Sequence, residues 1–272
     1  MNKIEVKVLE THGEPGQWTT FLARLTQRGH NVKSMDDLVS LYNQSYTPGF
    51  VAALAKLPHG TIKRFTPITV AIVGASRRFL AQARTSQVGT NFVSASLQYS
   101  DYSGEADFVV PYALLEADHA DRIADPDLPE GLQNLNSGRY LESCQRSMET
   151  YKIIAESTDN DTAGYAAPQG LRNILVMQAN HQSWDYFIRL RGCNRNTPET
   201  QYVTMRIWEE LLLTPNGYEF FEQSGIDCMR GICREGKLCC GDPMRHFTRK
   251  SDATGDAVPS IVIKERWPLL CK

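Results

Sequence analysis

The chain has 272 residues, 42% hydrophobic and 22% charged, with a formal net charge of -2. That size and balance suit one soluble domain with a large core and exclude the global basic field that a nucleic-acid backbone would require. An anionic ligand must therefore be held by local groups, and a small phosphorylated metabolite fits better than a polymer. No apolar run approaches the roughly 20 residues of a membrane-spanning helix, and Met1 to Val6 has no signal-peptide core, so the expected location is the cytoplasm. Seven cysteines, five of them between Cys228 and Cys271, read as free thiols in a reducing compartment.

In chain order, Ile4 to Leu9 alternates as a short strand. Pro15 to Arg28 is a helix with Trp18, Phe21, Leu22 and Leu25 on one side, and Ser34 caps a second helix with Asp36 and Asp37 in its first turn. Gly49 to Leu57 is a third, stopped near Pro58-His59-Gly60. Ile68 to Val73 is the clearest buried strand, rich in β-branched residues. Ser76 to Thr85 follows as a helix, and Thr90 to Tyr102 as a polar extended segment or loop. Phe108 to Pro111 is a short strand end. Ala117 to Gly138 reads as a surface excursion and Arg139 to Ser157 as a long helix. Arg172 to Gln178 is a second strand, running into Asn180 as N-cap of a helix to Arg191. Pro198 to Leu213 is a further helix, and a Cys-rich tail begins near residue 225. With no regular βαβ rhythm, the order predicts an α+β fold in one domain, 1–272: a central mixed or antiparallel sheet surrounded by helices.

Dinucleotide, Walker and nucleophile-elbow motifs are absent, and the six histidines are scattered. Cys228-x4-Cys233-x5-Cys239-Cys240 lacks the Cys-x2-Cys knuckle of a tetrahedral site. The plainer reading of this tail is buried thiols among loops, and no metal site is assigned. Arg77, Arg78 and Arg84 form either a solvated basic face or a phosphate-capturing group.

Three ordered blocks carry a resemblance. Phe50 to Thr61 precedes a strand and Gly74-Ala75-Ser76-Arg77. Asn91-Phe92-Val93-Ser94-Ala95-Ser96-Leu97-Gln98-Tyr99-Ser100 follows. Ala167-Pro168 then precedes Asn180-His181-Gln182-Ser183-Trp184-Asp185-Tyr186-Phe187-Ile188-Arg189-Leu190-Arg191. From about Val51 to Gly241 the chain resembles the flavin-dependent thymidylate synthases (ThyX). The second block is the end of that family's signature, and the third resembles its Asn-x-Arg-x4-Phe-x2-Leu-Arg helix.

The resemblance implies C5 methylation of a uracil nucleotide, dUMP or UMP, with FAD as cofactor and methylenetetrahydrofolate and NADPH as co-substrates. It also implies a homotetramer with active sites between subunits. Arg191 matches the arginine that polarises the uracil ring, a planar donor fork that keeps its proton. Gln82, Ser94, Ser96, Leu97 and Gln98 fall at substrate positions. Ser86, Gln87, Val88, Asn180, Gln182 and Tyr186 fall at cofactor positions, and Tyr99 is expected to pack. Eleven residues at about 100° each return Arg191 to the face of Asn180, with Trp184 and Phe187 forming an apolar wall between them.

Several family residues are replaced. Ser86-Gln87-Val88, or Thr85-Ser86-Gln87 with a one-residue shift, stands where Arg-His-Arg is usual, Ser94 and Gln98 where Glu and Arg are, Gly164 for a phosphate-binding Arg, and Phe65 for a His near the flavin. Arg77, Arg78, Arg84 or Arg172 would have to substitute. The remodelled pocket makes UMP a candidate substrate, as in methylases of nucleoside-antibiotic pathways. The alternatives are a non-catalytic relative that keeps the fold and a zinc-stabilised module built on the tail.

Overall fold

In the computed structural model the described residues are 4–86, 88–127, 135–222, 224–227, 233–240, 248–251, 257–260 and 266–269. The elements are β1 (Glu5–Thr11), α1 (Pro15–Arg28), α2 (Met35–Tyr42), α3 (Pro48–Ala55), β2 (Pro67–Ser76), α4 (Arg77–Arg84), β3 (Thr90–Ser94), α5 (Tyr112–Ala124), α6 (Leu135–Ser157), α7 (Asn160–Ala163), β4 (Arg172–Asn180), α8 (His181–Arg191), α9 (Pro198–Leu212), α10 (Gly217–Phe221), β5 (Thr248–Ser251) and β6 (Ala257–Ser260). The first four strands form one sheet in the order β1-β2-β4-β3, every neighbouring pair antiparallel. β5 and β6 pair with each other. The architecture is the α+β arrangement expected, with the sheet fully antiparallel. No helix among the described residues is long and apolar enough to cross a membrane.

Alternation along the strands decides which face is buried. Val6, Ile68, Val70, Ile72, Leu175, Met177 and Ala179 point to one face and are buried there. Phe79, Leu80 and Ala83 of α4, Trp184, Phe187 and Ile188 of α8, and Val203, Ile207, Trp208 and Leu211 of α9 complete this core. Among the described residues nothing covers the exposed side chains of the opposite face. Val73 and Ile174, paired across β2 and β4, are 43% and 48% exposed, and Val93 on β3 is 70% exposed.

A register shift between Val73 and Ala75 interrupts β2, with Gly74 at φ 83. A left-handed residue at such a bulge favours glycine. Arg172 Nη1 donates to the Gly74 carbonyl at 2.9 Å. The strand then ends in Ser76, whose hydroxyl accepts from Phe79 N at 3.1 Å and caps α4. The bulge thereby aims the arginine-bearing helix across the sheet end.

Ser34 and Asn180 cap their helices as the sequence predicts, and Asp37 completes a capping box with Ser34. Of the two readings of the segment from Thr90, the extended one holds at its start: Thr90–Ser94 is an edge strand paired to β4; Phe92 packs against the core, a contact its polar neighbours conceal. The supposed excursion over 117–138 contains most of α5 and the start of α6. Its organising group is Asp118, 1% exposed, whose carboxylate accepts from Asn136 N and Ser137 N at 3.0 Å each. The cap of α6 comes from another helix, so no local sequence signal announces it. Burial alone would raise the Asp118 pKa, but the hydrogen bonds from Ser137 and Asn136 outweigh it and lower it.

Candidate active site

Arg77 and Arg84 lie seven residues apart, two turns along one side of α4. They line a cleft of about 350 Å³ with Ser94, Ser96, Leu97 and Asn173. Arg84 Nη2 donates to Ser94 Oγ. Asn173 Nδ2 holds the Ala95 carbonyl at 3.2 Å, and Ser96 Oγ accepts from Gln98 N at 3.1 Å. Gly164 makes room beside Leu97: a Cβ there would lie 3.3 Å from the leucine side chain. The described lining contains two guanidiniums and no carboxylate, which suits an anion. Burial lowers the Arg77 pKa, partly offset by Tyr102, and the like charge of Arg84 lowers it further; an arginine remains charged throughout the physiological range.

The other two arginines considered as substitutes are elsewhere. Arg172 pairs with Asp107 at 3.0 Å. Arg78 faces a different cavity, on the other side of α4.

Arg191 ends α8, half-buried. Its Nε donates to Ser86 Oγ at 3.2 Å, Nη1 to Asn196 Oδ1 at 3.2 Å, and Nη2 to Thr85 Oγ1. Asn196 is itself fixed by the carbonyls of Leu190 at 2.7 Å and Cys193 at 3.0 Å. These three acceptors are neutral, so they orient the charge without cancelling it. Burial lowers the Arg191 pKa, with Tyr186 acting in the opposite direction. Thr85 follows Arg84 in the chain, which sets Arg191 at the C-terminal end of the helix that lines the cleft.

Two expectations about this region are corrected. Trp184 and Phe187 are 0% and 2% exposed and face the core, and Trp184 Nε1 donates to the Ile68 carbonyl at 3.1 Å. They are a packing stripe and not a wall for a ligand. Gln82 turns away from the cleft, its Oε1 accepting from Thr197 Oγ1 at 3.1 Å and from Thr200 Oγ1.

The expected cofactor residues divide. Ser86 is buried under Arg191, Val88 is 83% exposed, and Gln87 lies outside the described residues. Ser183 Oγ reaches the Val88 carbonyl at 2.8 Å. Asn180 Oδ1 caps α8 by accepting from Ser183 N at 3.0 Å, and Gln182 Oε1 accepts from Arg64 Nε at 2.5 Å. The turn at Gly89 needs glycine: φ is 68, and a Cβ would lie 2.5 Å from Ser183 Oγ. Asn180, Gln182, Val88 and the exposed Arg64 thus surround the N-terminus of α8. Tyr186, one turn on, is 42% exposed, with the Arg189 guanidinium 5.1 Å from its ring centre. Phe65 is exposed and stacks on Trp18 at 6.2 Å. Gln98 and Tyr99 are exposed; Tyr99, at 82%, does not pack as expected.

Asn196 and Asn173 were not marked by the sequence. Each acts by holding another group, and Asn173 does so across 78 residues, which no spacing rule connects.

His181 opens α8 and is 2% exposed, stacked on Phe221 at 5.3 Å with Nδ1 3.0 Å from Thr66 Oγ1. Burial pushes its pKa down to about 3. The unfolded chain gains this proton near the ordinary value of about 6.5 and the folded chain does not, so stability is full above that value and falls as pH drops below it. From pH 8 to pH 5 the urea-unfolding free energy should fall by about 2 kcal/mol from this residue. His181→Phe should flatten that fall; an unchanged pH slope would show that His181 does not cause it.

Cys144, Cys193, Cys233, Cys239 and Cys240 form no disulfide. Cys239 and Cys240 are exposed, against the expectation of buried thiols. Among the described residues no group of three or more His, Cys, Asp or Glu side chains could hold a metal ion; Cys228 and Cys271 lie outside them.

Comparison with known proteins decides the family. The family description "Thymidylate synthase complementing protein" (Thy1) matches residues 7–213. The chain belongs to the Thy1 family. A flavin-dependent thymidylate synthase of Clostridium tetani is 21% identical over 256 residues, covering 88% of this chain and 93% of that protein. Thymidylate synthase X of Helicobacter pylori, solved with FAD and dUMP, superposes with a TM-score of 0.55 at 15% identity, over 82% of this chain and 99% of that one. The UMP/dUMP methylase PolB of Streptomyces cacaoi, bound with 5-Br dUMP, gives 0.59 at 13% identity, over 82% and 97%. The resemblance read from Val51 to Gly241 is therefore that of a Thy1 enzyme, and the antiparallel sheet with its helices is the fold of these structures.

Proposed function

We propose that this Thy1 protein methylates C5 of a uracil nucleotide, with a flavin cofactor, methylenetetrahydrofolate as one-carbon donor and NADPH as reductant. The observation that carries the reading is Arg191, a half-buried guanidinium oriented by neutral oxygens beside a carboxylate-free cleft that holds Arg77 and Arg84. The two cleft arginines bind the phosphate and Ser96 a polar edge of the nucleotide. Arg191 meets the N3/O2 edge of the uracil and stabilises negative charge as it develops on the ring, which makes C5 nucleophilic.

The surroundings of the α8 N-terminus fit a flavin. Val88 and Tyr186 offer exposed apolar surface, Asn180 and Gln182 amide groups, and Arg64 an exposed cation for a diphosphate. A flavin bound there and reduced by NADPH would supply the hydride that completes the methyl group.

UMP is the substrate favoured over dUMP. Ser94 stands where related enzymes carry a glutamate, and its small hydroxyl leaves room for a 2′-hydroxyl and a partner for it. The uncovered sheet face supports assembly: Val73, Ile174 and Val93 form an apolar surface of the kind that oligomers bury. We assign it to contact with further copies in a homotetramer whose sites lie between subunits, and a single-chain mass in light scattering would remove that assignment.

The second reading is a non-catalytic relative. It is favoured by Ser86 and Val88, which replace two phosphate-binding arginines with a buried hydroxyl and an exposed isopropyl group. The absorption spectrum of the purified protein separates the two, followed by turnover of UMP and dUMP with folate, FAD and NADPH. A yellow protein that methylates UMP is expected. A colourless protein that takes up no flavin and turns over neither nucleotide would establish the second reading.

A further inference from the structure

On the side of α4 away from the nucleotide cleft lies another cavity, of about 370 Å³. Three aromatic residues, Tyr112, Tyr140 and Trp267, stand in its lining among small apolar and hydroxyl side chains. They are held firmly. Tyr140 donates its hydroxyl to the Val109 carbonyl at 3.1 Å. Trp267, 5% exposed, packs against Tyr112 at 5.8 Å and Tyr202 at 5.5 Å. Gly170 permits the position of Tyr140, because a Cβ there would lie 1.7 Å from the tyrosine oxygen.

The charge deep in this cavity is concentrated in one residue. Glu199, 7% exposed, lines it from the first turn of α9. One carboxylate oxygen accepts from Ser76 N at 2.7 Å and the other from Ser76 Oγ at 2.5 Å. A carboxylate offers about four acceptor sites, and Ser76 occupies two. The Ser76 contacts give Glu199 a structural role between α4 and α9; they do not account for an aromatic cavity beside it. Arg78, at the same cavity, is exposed to solvent. The methylation chemistry uses none of these groups.

An apolar, aromatic cavity of this volume with a single convergent acidic group has the make-up of a small-molecule site. We infer that it binds a small aromatic ligand with an amidine-like donor edge: two N–H groups side by side, as in an aminoheterocycle or a benzamidine. Such an edge presents parallel donors to the Glu199 carboxylate, the charge-assisted arrangement that is strongest in a dry site. The flat ring behind it lies among the faces of Tyr112, Tyr140 and Trp267. A wholly apolar ligand would leave the carboxylate's remaining acceptor sites unused, and an anionic head would be repelled by it.

The test titrates the full chain with 2-aminobenzimidazole and benzamidine by calorimetry, with benzimidazole as the matched ring lacking the exocyclic amine. The amino-bearing probe should bind about tenfold tighter than benzimidazole, and Glu199→Gln should lose about tenfold or more of that affinity. Ser143→Trp, at an exposed α6 position lining the cavity, should block binding without touching the Glu199 to Ser76 contacts. Saturating UMP should leave probe binding in place. No saturable binding at millimolar probe, equal affinity for benzimidazole, full retention in Ser143→Trp, or displacement by UMP would each overturn the inference. Should Glu199→Gln fail to fold, Ser143→Trp and the benzimidazole comparison still decide. These readouts require no turnover, so they stand or fall apart from the methylation reading.

Discussion

Arg191→Ala should lower kcat for uracil methylation by about 10²–10³-fold, the loss seen when one preorganised donor to a developing negative charge is removed. The guanidinium is aimed before substrate arrives, by Ser86, Asn196 and Thr85. It therefore spends nothing on reorientation in the transition state. Its partners are neutral, so its full charge is available to the ring. Arg191→Lys should recover only part of the rate, because an ammonium keeps the charge but lacks the planar fork. Single-turnover rates at saturating nucleotide, with nucleotide Kd measured separately, distinguish a chemical role from a binding one. A fall confined to Kd would make Arg191 a binding residue, and no change in either would remove it from the site.

The second large effect is expected at the phosphate. Arg77→Ala and Arg84→Ala should each weaken UMP binding about tenfold or more, since a hydrogen bond to a charged group contributes roughly 1.5–3 kcal/mol. The double variant should lose more than either single variant but less than the product of the two losses, because both arginines act on one group. Uridine, which has no phosphate, should bind the wild type and the double variant alike. That contrast separates phosphate capture from general damage to the cleft. Arg172→Ala should instead lower stability, because Arg172 pairs with Asp107 and the Gly74 carbonyl. Equal losses for UMP and uridine would show that α4 supports the cleft without contacting the phosphate.

Local patterns were legible where local physics governs. The β-branched run Ile68 to Val73 is the central strand β2, and Asn180 caps α8, because strand pairing and capping depend on residues within a few positions of one another. The α5 and α6 boundary was not legible, because Asp118 caps α6 from a separate helix. Trp184 and Phe187 share the periodic face of Asn180 and Arg191, but periodicity cannot say whether an apolar stripe meets core or ligand; Trp184 Nε1 is committed to the Ile68 carbonyl. Gln82 was read as a substrate contact from its position, whereas it is bonded to Thr197 and Thr200, more than 100 residues away.

By itself the sequence determined most of the elements and their order, the resemblance to the family and the candidate guanidinium at the end of α8. Tertiary structure decided which arginines share a cleft. Arg77 and Arg78 are adjacent in sequence but diverge by about 100° on a helix. The burial of Phe79, Leu80 and Ala83 against the sheet then turns Arg77 to the cleft it shares with Arg84 and Arg78 to the cavity beside Glu199. That division depends on what the helix packs against, and those partners, on β2, β4 and α9, are set by long-range contacts that no local pattern encodes.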